Sequence, residues 1–224
     1  MPIRFCTPVP RFETDCYDWN ERHHFCQEQA RTKHADAIFI GDSITHFWAS
    51  LHGGPIWERC FGNRNVLNIG FGWDRTPNVL WRLAHGHFDG QTPGLIVLNI
   101  GTNNFAVTEA YPGDTPEETA DGIEAVIDDL QHRSPASHIV DMAVFPRGEA
   151  EFQSKVTVLN RILADRLAGR KNVTFLNLTD SFLLPDGTRN GIFFRDSAHL
   201  TLDGYEIWVN GLRPFLARYA GIEL

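Results

Sequence analysis

The sequence predicts an α/β fold: a three-layer α/β/α sandwich with a five-stranded parallel sheet in the flavodoxin-like order 2-1-3-4-5. Three observations lead there. Short apolar runs alternate along the chain with longer segments whose apolar residues recur at spacings of three and four. Parallel strands joined through helices need right-handed crossovers, which leave few orders open. No repeat, low-complexity tract or linker divides the chain, so residues 1–224 read as one domain.

Each element has its own local signal. Residues 1–15 carry prolines without periodicity and read as an extended amino-terminal arm. From 18 to 32, Trp19, His23, Cys26 and Ala30 recur at helical spacing. A strand at 36–41 ends in the turn Gly41-Asp42-Ser43, and a short helix at 44–51 follows until Gly53, Gly54 and Pro55 interrupt it. A second strand at 65–70 runs into the Gly-rich turn 70–76. Pro77 suits the first turn of the next helix, with Val79, Leu80 and Leu83 inward. The run 94–101 is the clearest buried strand, and Thr102-Asn103-Asn104 follows it. Thr115-Pro-Glu-Glu opens a helix to about 132, striped by Ile123, Val126, Ile127 and Leu130. Strands at 138–144 and 173–178 flank a helix at 151–167. A loop at 180–199 leads to a last helix at 201–219.

Composition narrows the function. The formal charge of −8 argues against nucleic acid or an anionic membrane, because phosphate binding is driven by Lys and Arg. Cys6, Cys16, Cys26 and Cys60 form no Cys-x-x-Cys pair, so they read as idle thiols. The amino terminus lacks a long apolar core and no run approaches a membrane span, which makes the cytoplasm the simplest address. Gly70-x-Gly72 lacks the third glycine of a dinucleotide fingerprint, so no cofactor is called for. His23-His24 and His85-Gly-His87 lack a metal-binding helical signature and read as surface histidines. Trp48 and Phe71 suit either a pocket wall or the core.

In an open parallel sheet every strand's carboxyl end lies on one edge, where ligand sites form. That edge collects Ser43, the Gly72-Trp73 turn, Asn103 and the Asp196/His199 pair. A serine hydroxyl becomes a nucleophile when a base takes its proton and a carboxylate holds that base. His199 fits the base and Asp196 the orienting acid, since two intervening residues in a loop let the carboxylate curl back to Nδ1–H. The bland alternatives are a helix-capping serine and a helix-entry turn with an exposed histidine. Acyl transfer also needs donors for the developing oxyanion, each worth about 3–4 kcal/mol. The Ser43 N–H, the Asn103 amide and the backbone at Gly72-Trp73 can supply them.

These blocks carry a resemblance. Gly41-Asp-Ser-Ile44, the run from Asn68 to Thr76, Gly101-Thr-Asn-Asn104 and the run from Asp196 to Tyr205 resemble, in order, the four blocks of the SGNH (GDSL-type) hydrolases. The chain is most similar to the branch holding the catalytic subunits of platelet-activating-factor acetylhydrolase and related bacterial esterases. That likeness implies metal-free ester hydrolysis with Ser43 as nucleophile, Asp196 and His199 as its partners and Asn103 as oxyanion donor. The family's oxyanion glycine falls on Trp73 here, which ranks its N–H ahead of that of Gly72.

The expected activity is hydrolysis of short acyl esters of small molecules, most plausibly acetyl esters, through an acyl-enzyme. Ile44, Thr102 and Ala198 flank the reacting groups in sequence and would limit the acyl pocket. The alternatives are a thioesterase or lysophospholipase on the same fold, or a non-catalytic binding module. The resemblance also allows a paired subunit, a homodimer that the amino-terminal arm could serve.

Overall fold

Side chains alternate across each central strand and so feed two separate cores. The computed structural model describes residues 4–224. Strands β1 (Ala37–Gly41), β2 (Val66–Asn68), β3 (Leu95–Asn99), β4 (His138–Met142) and β5 (Val173–Leu176) form one sheet. Every pairing is parallel and the order is β2-β1-β3-β4-β5, as predicted. Ile38, Ile40, Ile96, Leu98 and Ile139 face the core built with α1 (Trp19–Thr32), α4 (Thr76–Leu83), α5 (Pro116–Arg133) and α6 (Ala150–Arg166). Ala37, Phe39, Leu95, Val97, Val140 and Met142 face the other, built with α2 (Ser43–Trp48), α3 (Gly54–Phe61) and α7 (Leu202–Ala220). The result is the three-layer sandwich.

The helix starts lie where their caps put them. Asp18 accepts from the Glu21 N–H at 2.9 Å. Thr115 and Glu118 cap each other's backbone at 3.1 and 2.9 Å. Thr201 caps α7, and Gly221 at φ 65 ends it in the left-handed conformation a side chain resists. The helix α3 was not predicted, because Gly53-Gly54-Pro55 reads as a break. Pro55 in fact occupies the first turn, where its missing N–H costs nothing, and Ile56, Cys60 and Phe61 are buried. Trp48 and Phe71 are both fully buried, so they belong to the core and not to a pocket wall. All four cysteines are free thiols.

The amino-terminal arm does not hang free. Arg4–Cys6 form a turn of 3₁₀ helix, and the Val9 N–H donates to the Pro77 carbonyl at 3.2 Å. Asn78 Nδ2 donates to the Val9 carbonyl at 3.0 Å. The first three residues of the predicted arm lie outside the described ones.

One core residue breaks the apolar pattern. Asp141 on β4 registers with Leu98 and Phe175 and is fully buried, with neither carboxylate oxygen hydrogen-bonded among the described residues. Burial pushes its pKa well above the usual carboxylate range. A raised carboxyl contributes stability fully present below its unfolded value of about 3.9 and lost as pH rises toward the folded value. The expected slope from this group is a loss of about 1.4 kcal/mol per pH unit across that window. Asp141→Asn should remove that slope, so its urea midpoints at pH 5 and pH 7 should lie closer together than those of the parent. Equal spacing of the two pairs would contradict an un-ionised Asp141.

Candidate active site

Ser43 lies at the carboxyl end of β1, as the first residue of α2. The cap of that helix is Asp42, whose Oδ1 accepts from the Ile44 N–H at 2.9 Å. The serine hydroxyl is therefore not used as a cap and is free to meet another group. Gly41 is required just before it, because a Cβ there would collide with the Asn99 carbonyl of β3 and with Thr45. Burial lifts Asp42 to about 7, although the Ile44 N–H and the nearby His199 and Arg147 pull the other way.

The group that Ser43 meets is His199. Its Nε2 lies 2.9 Å from Ser43 Oγ, and its Nδ1 lies 2.8 Å from Asp196 Oδ2. A carboxylate only accepts, so Nδ1 is the donor in that contact, and the tautomer it selects lets Nε2 accept from the hydroxyl. The other carboxylate oxygen, Oδ1, accepts from the N–H groups of Ala198 and His199, both at 2.8 Å. Partial burial disfavours the charge on Asp196, but these N–H groups and the adjoining imidazole outweigh it and hold the carboxyl down at about 2. The His199 ring sits between Phe47 at 5.8 Å and His52 at 5.1 Å, which limits its swing.

Two more turns, after β2 and β3, bring Trp73 and Asn103 to the crevice that Ser43 lines. The turn after β2 bends back at Trp73, whose φ of 64 is one of two positive values outside glycine among the described residues. Such a conformation costs a bulky residue about 1–2 kcal/mol and is found where surrounding structure enforces it. Arg22 enforces the approach to this turn, donating to the Gly70 carbonyl at 2.7 Å and to Asn68 Oδ1 at 3.2 Å. The Trp73 N–H donates to no backbone carbonyl among the described residues. Asn103, in the 3₁₀ turn Thr102–Phe105, donates one amide hydrogen to the Asp74 carbonyl at 3.1 Å. A primary amide has a second hydrogen, which no group accepts among the described residues. Gly72 is turned toward the arm, where Tyr17 Oη donates to its carbonyl at 3.3 Å and a Cβ would strike Asp15.

Ser43, Trp73, Asn103 and His199 line one crevice of about 390 Å³. Thr102 and Ala198 line it too, but Ile44 does not. Ile44 is 2% exposed and packs into the core with Trp48 and Tyr205, because consecutive helical residues point about 100° apart. Gly72 is likewise absent from the lining, so two of the residues expected at the site face elsewhere.

The crevice also holds residues that sequence reasoning missed. Arg147 donates to Thr102 Oγ1 at 3.0 Å and pairs with Glu149 at 3.3 Å. The Gly148 N–H donates to the Ser197 carbonyl at 2.9 Å, tying the turn after β4 to the loop that carries Asp196 and His199. A signal was present: this turn follows a strand, as do the blocks at Ser43, Trp73 and Asn103, and so belongs to the same sheet edge.

The remaining histidines correct a second expectation. His87 is fully buried, not on the surface, and its Nε2 lies 2.7 Å from His23 Nδ1. Burial drives His87 down to about 2, which keeps the ring neutral, and Trp19 stacks on His23 at 5.0 Å. The two rings brace α1 against the segment after α4. Among the described residues no group of three or more His, Cys, Asp or Glu is arranged to hold a metal ion. No described helix is long and apolar enough to cross a membrane.

Known proteins are similar to this chain in sequence and in fold. The GDSL-like lipase/acylhydrolase family matches residues 39–207. Human platelet-activating factor acetylhydrolase IB subunit alpha1 is 31% identical over 214 residues, covering 95% of this chain and 88% of that protein. A GDSL-like lipase from Bacteroides thetaiotaomicron superposes with a TM-score of 0.71 at 19% identity, over 90% of this chain and 99% of that one. An acetyl xylan esterase superposes with a TM-score of 0.61 at 19% identity, over 80% and 98%. With the family pattern spanning all four blocks at the sheet edge, the chain belongs to the GDSL-like lipase/acylhydrolase family of the SGNH superfamily and is an ester-hydrolysing enzyme.

Proposed function

We propose that this enzyme removes short acyl groups, acetyl foremost, through an acyl-enzyme intermediate on Ser43. The observation that carries the reading is the unbroken line from Ser43 Oγ to His199 Nε2 at 2.9 Å and from Nδ1 to Asp196 at 2.8 Å. As Oγ adds to the ester carbonyl carbon, its proton passes to Nε2 and Asp196 stabilises the imidazolium. The carbonyl oxygen becomes an oxyanion and receives the N–H groups of Ser43 and Trp73 and the free amide hydrogen of Asn103. Collapse breaks the bond to the alcohol oxygen, which leaves with the proton from Nε2. Water then repeats the sequence on the acyl-serine and restores the enzyme.

Acetyl is favoured by kinship, since the human relative is an acetylhydrolase and the third protein compared is an acetyl xylan esterase. Thr102, Ala198 and Trp73 line the same crevice as Ser43 and supply candidate walls for a short acyl group. A chain-length series on p-nitrophenyl esters tests the size limit. Turnover of acetate should exceed that of decanoate by about tenfold or more, and the reverse order would reject the short-acyl reading. Acetyl esters should also outrun acyl-CoA and lysolipid. Labelling of Ser43 by a fluorophosphonate checks the nucleophile, and a binding module would stay unlabelled.

A further inference from the structure

The amino-terminal arm reaches the site through a buried cation. Arg75, between the Trp73 turn and α4, is fully buried. Its Nε donates to the Asn103 carbonyl at 2.9 Å and one Nη to the Ala106 carbonyl at 3.4 Å. The guanidinium lies 4.2 Å over the Tyr111 ring. Its one carboxylate partner among the described residues is Glu13 of the arm, itself 14% exposed at the side chain. The second Glu13 oxygen accepts from Thr108 Oγ1 at 2.7 Å. Phe12 closes the other side, its ring 4.8 Å from that of Tyr111.

A charge taken out of water is tolerated when it is paired and its remaining hydrogens are used. Here a residue of the arm meets that requirement for a residue of the domain body, 62 positions away. The consequence falls on Asn103, whose amide is held by the Asp74 carbonyl and whose backbone carbonyl accepts from both Arg75 and the Ala106 N–H. Without Glu13 the guanidinium is an uncompensated buried charge, and a shift toward water would loosen its bond to the Asn103 carbonyl. The amide aimed at the crevice would then lose its fixed position, and a displacement near 1 Å at a reacting centre costs on the order of a hundredfold in rate.

We propose that the arm is a working part of the active site, with Glu13 and Arg75 as positioning residues that fix the Asn103 amide for the transition state. The inference rests on the reading of Asn103 as an oxyanion donor. Glu13→Gln keeps the shape of the side chain and removes the charge. Arg75→Lys keeps the charge but cannot bond Asn103, Ala106 and Glu13 at once.

The experiment is a double-mutant cycle on p-nitrophenyl acetate in the full chain, using Glu13→Gln, Asn103→Ala and the pair. Asn103→Ala should lower kcat by about a hundredfold or more. Glu13→Gln should lower kcat by about tenfold, with KM changed less than about twofold. Combined, the loss should match that of Asn103→Ala alone, because the positioning has nothing left to position. Arg75→Lys should follow the same pattern. An unchanged kcat in Asn103→Ala would show that the donor reading itself is wrong and would overturn the inference with it. A large Asn103→Ala effect with a multiplicative Glu13→Gln loss, or with none, would overturn the arm's role alone. Glu13→Asp provides the rescue, because a shorter carboxylate still neutralises Arg75, and kcat above that of Glu13→Gln is required.

Discussion

Ser43→Ala is expected to lower kcat for p-nitrophenyl acetate by about 10⁴-fold or more while leaving the fold intact. The substitution deletes the oxygen proposed to form the acyl bond. It leaves the proposed oxyanion donors in place, and these predict a residual rate. Stability should change by no more than about 0.5 kcal/mol, because the cap of α2 is the Asp42 carboxylate and alanine suits a first helical turn. The measurement is steady-state hydrolysis alongside a thermal melt. A variant that turns over at the parental rate would remove Ser43 from the chemistry.

Asp196→Asn comes next in size, with an expected loss of about 10³–10⁴-fold in kcat. An amide in place of the carboxylate can donate to Nδ1, which favours the ring tautomer with its proton on Nε2, facing the serine. Such a ring has no lone pair for the Oγ proton. The variant also carries a stability signature. The parental carboxyl, held down at about 2, adds stability above its unfolded value of about 3.9, and that share is lost as pH falls through about 2. Asp196→Asn should therefore flatten acid unfolding between about pH 4 and pH 2 while its activity stays low at every pH. Parental kcat at neutral pH would remove the carboxylate from its proposed role.

Much of this architecture was legible in the residues. Thr115 with Glu118 marked the start of α5 because a capping box is a contact between neighbours. The curl of Asp196 back to His199 was legible for the same reason, as both partners lie in one short loop. The pocket was not. Ile44 adjoins Ser43 in sequence but turns into the core from a helix that the cap at Asp42 orients. His87 reads as polar and exposed until α1 closes over it and supplies His23 as a partner.

The sequence by itself determined the strands, their neighbours and the edge at which Ser43, Asn103, Asp196 and His199 would collect. Those features follow from hydrophobic periodicity and from hydrogen bonds between residues close in the chain, which any short window records. Only the tertiary structure decided that Ser43 and His199, 156 positions apart, stand 2.9 Å from each other. It alone made Glu13 the counter-ion of Arg75 and turned Ile44 inward. Such distances are set by how twisted strands, crossover lengths and packed side chains add up over the whole domain, and no local stretch of sequence contains that sum.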